Sequence, residues 1–166
     1  HILVDEDLFV ISREFFSKDC PAMGIEVSFV DVRRMETVQA ALRPNTKVLF
    51  AESVTNPNMR VADVAALRGF CDAHALTLII DNTFLSPYLF RPIEHGADLV
   101  VHSATKYLSG HGDTVAGVLS ILASDALNGI TPNDSRLLAR LTALGLSRAA
   151  IESELKQARA YYIWRA

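Results

Sequence analysis

The chain has 166 residues, half of them hydrophobic and 21% charged, with a formal net charge of −3. This is the profile expected of a soluble globular domain long enough to bury a sizeable core. No segment gathers enough Lys and Arg to follow a nucleic-acid backbone, and apolar runs such as Leu76-Thr77-Leu78-Ile79-Ile80 are far too short to span a bilayer, so neither nucleic acid nor membrane is an expected partner.

The first residues, His1-Ile2-Leu3-Val4-Asp5-Glu6-Asp7, lack the basic flank and small-residue cleavage site of a secretory signal, and the chain reads as an internal piece of something longer. Beyond them, short apolar runs alternate with longer helical patterns. Strands are predicted at 26–30, 47–51, 76–80, 99–102 and 117–122, several of them apolar on both faces, as in parallel sheets covered by helices. Helical spacing occupies 35–42 and 61–75, where Val64, Leu67, Phe70 and Cys71 share one face. Cys20 and Cys71 have no metal-ligand spacing and fall in helix-like segments, so buried thiols and a reducing cytoplasm are expected. A run of turn formers at 128–135 precedes two further predicted helices, 136–144 and 149–164, with Gly145-Leu146-Ser147 as stop and cap between them. The expected architecture is α/β, a mostly parallel sheet flanked by helices, with residues 1–127 as one domain and 128–166 as a C-terminal helical segment whose placement the sequence does not fix.

Ligands of such sheets gather at the carboxyl ends of the strands. Three consecutive predicted strands end there in polar residues: Glu52-Ser53, Asp81-Asn82-Thr83 and Ser103-Ala104-Thr105-Lys106. Lys106, flanked by small and hydroxyl side chains, offers an amine that an aldehyde could approach. Ser103 and Thr105, two apart on what should be the same side of an extended segment, offer hydroxyls for a phosphate. Asp81 closes an apolar strand, where a carboxylate needs a partner; a helix cap or turn is one reading and a pyridinium nitrogen the other. Asn56, before Pro57, either opens a turn or reaches the ligand. An amine, phosphate-binding hydroxyls and a carboxylate are what pyridoxal 5'-phosphate (PLP) requires of a protein. His102 is expected to pack beside its strand end. No metal is expected: His111 lies in the Gly-rich loop Ser109-Gly110-His111-Gly112-Asp113 without a second suitably spaced ligand pair.

The ordered blocks Gly24-Ile25-Glu26-Val27, Glu52-Ser53-Val54-Thr55-Asn56-Pro57, Asp81-Asn82-Thr83-Phe84, Ser86-Pro87-Tyr88 and Gly96-Ala97-Asp98-Leu99-Val100-Val101-His102-Ser103-Ala104-Thr105-Lys106-Tyr107 resemble the trans-sulfuration, or Cys/Met metabolism, family of PLP-dependent enzymes. The run Lys106-Tyr107-Leu108-Ser109-Gly110-His111-Gly112-Asp113 is most similar to methionine γ-lyases and their near relatives, which include cystathionine γ-synthase-like members. The resemblance implies part of the large domain of an aspartate-aminotransferase-type fold and assembly as a homo-oligomer, a dimer or tetramer. It implies Lys106 as the Schiff-base lysine, Asp81 as the pyridinium partner, Ser103 and Thr105 at the phosphate, and Asn56 at the cofactor or substrate. The family's ring-stacking tyrosine falls at Phe9, which can stack but carries no hydroxyl, and a cysteine expected of methionine γ-lyases is replaced by Ile11. The implied activity is γ-elimination or γ-replacement on a sulfur-containing or homoserine-derived amino acid. A γ-replacing synthase or sulfhydrylase, and a catalytically silent relative acting as a structural partner, are the alternatives.

Overall fold

A computed structural model describes residues 1–121; the turn at 128–135, the helices expected over 136–144 and 149–164, and the domain limit at 127 lie outside the described residues. Six strands pair into one sheet: β1 (Ile2–Asp5), β2 (Val27–Val30), β3 (Val48–Glu52), β4 (Thr77–Asp81), β5 (Leu99–Ser103) and β6 (Gly117–Ile121). Their order is β2-β1-β3-β4-β5-β6, with β1 to β5 parallel and β6 antiparallel to β5. The five strands read from the sequence are present within one residue at each end. β1 was not read, because Ile2-Leu3-Val4 is too short a run to show a period, yet it lies between β2 and β3.

Side chains of a strand alternate between faces, and this sheet is apolar on both. Leu3, Leu49, Ala51, Leu78, Ile80 and Val100 enter one core cluster, while Val4, Phe50, Ile79 and Val101 belong to the other. The first face is covered by α3 (Met35–Ala40) and α4 (Val64–Ala73), which contribute Val38, Leu67 and Cys71. The second is covered by a helical stretch made of α1 (Val10–Glu14), a π-helical turn over Phe15–Asp19 and α2 (Cys20–Ala22), which contributes Phe16 and Cys20. Both cysteines are buried as expected. Helix α4 begins where Asp63 accepts a hydrogen bond from Ala66 N (2.9 Å), so it starts three residues later than the apolar spacing predicts. Val61 instead pairs with Val54 in an isolated bridge. A short helix α5 (Ser86–Leu89) and a 3₁₀ turn (Pro92–His95) connect β4 to β5. No helix among the described residues is long and apolar enough to cross a membrane.

At the amino ends of β4 and β5, Arg68 of α4 donates to Asp98 Oδ2 (2.8 Å), which also accepts from Leu78 N (2.8 Å). Both charged groups are buried. Gly96 closes this corner at φ +92°, where a Cβ would stand 2.7 Å from the Arg68 side chain. Asp98→Ala leaves the guanidinium its exposed partner Asp72 (2.9 Å) and the Gly96 carbonyl but takes the buried acceptor from Leu78 N, and is expected to lower the unfolding free energy by about 1–3 kcal/mol, measured by urea denaturation.

Candidate active site

The chain passes from β1 outward to β2 and then back across β1 to β3, so strand order reverses between β1 and β3. A crevice forms at the carboxyl edge of such a reversal. Here it is a cavity of about 740 Å³, within the range of small-molecule sites. Each surrounding strand delivers side chains to it: Phe9 and Ser12 beyond β1, Glu52 and Asn56 from the end of β3, Asp81 and Thr83 from β4, and Ser103, Thr105 and Lys106 from β5. All six residues singled out in the sequence, Phe9, Asn56, Asp81, Ser103, Thr105 and Lys106, line this one cavity.

Asp81 is half-buried and in register with Glu52 on β3. Its Oδ1 accepts from Thr83 N (2.9 Å) and from Thr83 Oγ1 (2.6 Å), and neither bond engages Oδ2. No ion pair to Asp81 is formed among the described residues. Thr83 Oγ1 also accepts from Ser103 N (2.8 Å), so one hydroxyl fastens the ends of β4 and β5 together. Beneath it, buried Asn82 accepts from Ser53 Oγ (2.7 Å) and donates to Ser86 O (3.0 Å) and Phe90 O (2.7 Å). His102 packs beside Asn82, its Nε2 3.4 Å from Asn82 Nδ2. Burial pushes its imidazole below the ordinary histidine range, against the opposing pull of Asp81, and so favours the neutral ring.

The hydroxyl pair differs from expectation. Ser103 ends β5, and the chain then turns π-helically over Ala104–Leu108, so Thr105 is not on the extended segment. The turn is closed by Ser109 N to Ala104 O (3.0 Å) and Gly110 N to Lys106 O (2.9 Å). Within it Lys106 departs from helical geometry, at φ −92° and ψ −121°. Both hydroxyl residues still reach the cavity, but only the Ser103 hydroxyl lacks a protein partner among the described residues. Thr105 Oγ1 accepts from Ala116 N (3.0 Å) and donates to Ala116 O (3.3 Å). Lys106 is exposed, and its Nζ makes no hydrogen bond or ion pair among the described residues.

Glu52 was read only as a polar strand end. It is 5% exposed, yet lines the cavity. Its Oε1 accepts from Phe9 N (2.9 Å) and its Oε2 from Asn56 N (3.0 Å). Burial pushes its carboxyl up to about 7, against those two hydrogen bonds, with the Asp81 and Asp5 charges adding to the rise. The sequence carries a signal for it, since a carboxylate closing an apolar run is unusual at Glu52 as it is at Asp81.

The sequence pattern that defines the Cys/Met metabolism PLP-dependent enzymes matches residues 1–136. The chain belongs to this family. An L-methionine gamma-lyase of Treponema denticola is 45% identical over 119 residues, covering 70% of this chain and 30% of that protein. A cystathionine gamma-lyase of Bacillus subtilis is 36% identical over 170 residues, covering 95% and 45%. Among solved structures, a Campylobacter jejuni protein assigned to the O-acetylhomoserine (thiol)-lyases superposes with a TM-score of 0.69 at 30% identity, covering 71% of this chain and 29% of that one. That protein carries pyridoxyl-lysine-5'-monophosphate. This family member thus spans less than half the length of each of these relatives.

The raised carboxyls of this family member set a pH dependence. Glu52, held near 7 in the fold, and Asp5, pushed by burial to about 6, bind more protons folded than unfolded, so stability falls as pH rises from about 4.5 to 7.5. Ionising Glu52 in the fold opposes stability by on the order of 3 kcal/mol. Glu52→Gln should therefore match the parent chain at pH 5 and exceed it at pH 8, measured by thermal unfolding at both pH values; equal slopes would show that Glu52 ionises at its ordinary value.

Proposed function

We propose that this chain is the cofactor-bearing part of a PLP-dependent enzyme acting at the γ-carbon of a sulfur-containing or homoserine-derived amino acid. The observation that carries the reading is the shared cavity in which Lys106 and Asp81, delivered by adjacent strands, stand without charged partners among the described residues. The donor set fits the cofactor. An unpaired amine suits an aldehyde, a carboxylate with Oδ2 unengaged suits a protonated ring nitrogen, the Phe9 ring supplies a flat apolar face, and the Ser103 hydroxyl and Asn56 amide remain available as donors. When bound, PLP supplies an electron sink that makes removal of an amino acid's α-proton feasible.

In this reading the protein's own groups divide the work. Lys106 would hold the cofactor through its amine, and Nζ would take the substrate's α-proton and return a proton later. Asp81 would pair with the ring nitrogen and favour its protonated form, and Thr83 holds the carboxylate in place with two hydrogen bonds. Ser103, with Thr105 beside it, receives the phosphate. Phe9 would stack on the ring and, having no hydroxyl, would transfer no proton, so protonation of the leaving group would fall to another group such as Lys106. The lyases among the relatives favour elimination and the synthase among them favours replacement, in which a thiol rather than water would complete the reaction. Exposed Val10, Ile11, Tyr88 and Leu89 suit a homo-oligomeric assembly, and the reducing cytoplasm is its proposed setting.

Adding PLP and then borohydride to the parent chain should leave a stable pyridoxyl adduct on Lys106, located by peptide mass spectrometry, and Lys106→Ala should carry none. An adduct of equal yield on other lysines, or undiminished labelling of the variant, would overturn the assignment. Release of an α-keto acid from methionine or an O-acylhomoserine, with and without added thiol, separates elimination from replacement.

A further inference from the structure

Glu52 has a place in the fold that no step of the chemistry above requires. Its carboxylate is 5% exposed, and each oxygen accepts a backbone N–H from a different wall of the cavity. Phe9 is 43 positions away in sequence and begins the helical stretch after β1, whereas Asn56 lies in the turn after β3. The carboxylate therefore spans the reversal between β1 and β3, the crevice in which the site lies. We propose that Glu52 is the positioning residue of this site, fastening the backbones of Phe9 and Asn56 to the end of β3 so that the stacking ring and the amide face the cavity at a fixed spacing.

Three observations carry the assignment. A buried carboxylate is costly to desolvate, and one that accepts two N–H groups also satisfies two donors that would otherwise face an apolar interior. Neither a leucine nor a glutamine satisfies both, since an amide offers one oxygen and turns an NH₂ toward the second donor. With Oε1 and Oε2 both engaged by backbone, Glu52 is poorly placed to hand a proton to a substrate, which separates it from Lys106 and makes it a clamp rather than an acid. A second tie joins the same two segments farther out: Asp7 accepts from Thr55 Oγ1 (3.0 Å) and Asn58 Nδ2 (2.7 Å). Asp7 does not line the cavity and sets only the gross approach of the segments, leaving the orientation of Phe9 and Asn56 to Glu52.

The identity of the bound ring rests on the proposed PLP reading, whereas the clamp can be tested without it. Glu52→Gln, close to isosteric and neutral, is compared with the parent chain at pH 8 by residue-resolved amide exchange, PLP titration and thermal unfolding. The amide of Phe9 or of Asn56 is expected to exchange about tenfold faster in the variant, with neighbouring β3 amides unchanged. PLP should bind about tenfold more weakly, because the walls are no longer held in place beforehand. Thermal stability should not fall at this pH, so faster exchange and weaker binding would not be the result of general unfolding. Unchanged exchange at both amides, or equal PLP affinity in the two proteins, would overturn the proposal. If the parent chain takes up no PLP at all, the functional reading fails while the exchange comparison still decides the clamp.

Discussion

Parallel pairing of β3, β4 and β5 puts the carboxyl ends of these three strands at one edge, and that constraint governs the placement of the site. Glu52 stands in register with Asp81, and Asp81 with Val101, two residues before Ser103. Residues separated by tens of positions in sequence thereby become neighbours without any loop having to reach for them. The rigidity comes from two apolar faces packed against helices, so the edge is fixed by core burial at the centre of the sheet rather than by contacts at the site itself.

The same arrangement concentrates negative charge. Asp5, Glu52 and Asp81 all close parallel strands, and the first two are driven toward the neutral form mainly by burial. Asp5 shows how strong that effect is, because even a bidentate contact with Arg33, at 3.2 and 3.3 Å, does not return it to the ordinary carboxylate range. Asp81 is less buried, and its free oxygen borders an open cavity. A cationic ligand entering there meets an acid already oriented by Thr83, which has both its backbone and side-chain donors committed to Oδ1.

Much of this was legible in the sequence because apolar runs and the polar residues ending them are local signals. Five strands, the helical face of Val64, Leu67 and Cys71, and the convergence of three strand ends follow from periodicity and topology alone. What escaped were features that depend on the third dimension. β1 is only four residues long, and its burial is evident only once β2 and β3 flank it. The conformation after Ser103 depends on backbone bonds to Ala104 and Ala116, so the extended reading of Thr105 could not be corrected from side-chain types. Glu52 was visible as a residue, but its two partners are backbone N–H groups, which carry no sequence identity.

Thr105 imposes one further condition. A threonine hydroxyl has a single proton to give, and here it is directed at the carbonyl of Ala116, which closes the glycine-rich segment 109–116 over the turn bearing Lys106. An anion arriving at Thr105 would need that same proton. Filling the site and latching this segment are thus rival uses of one O–H bond, and the segment's grip on the turn weakens whenever the hydroxyl is drawn inward.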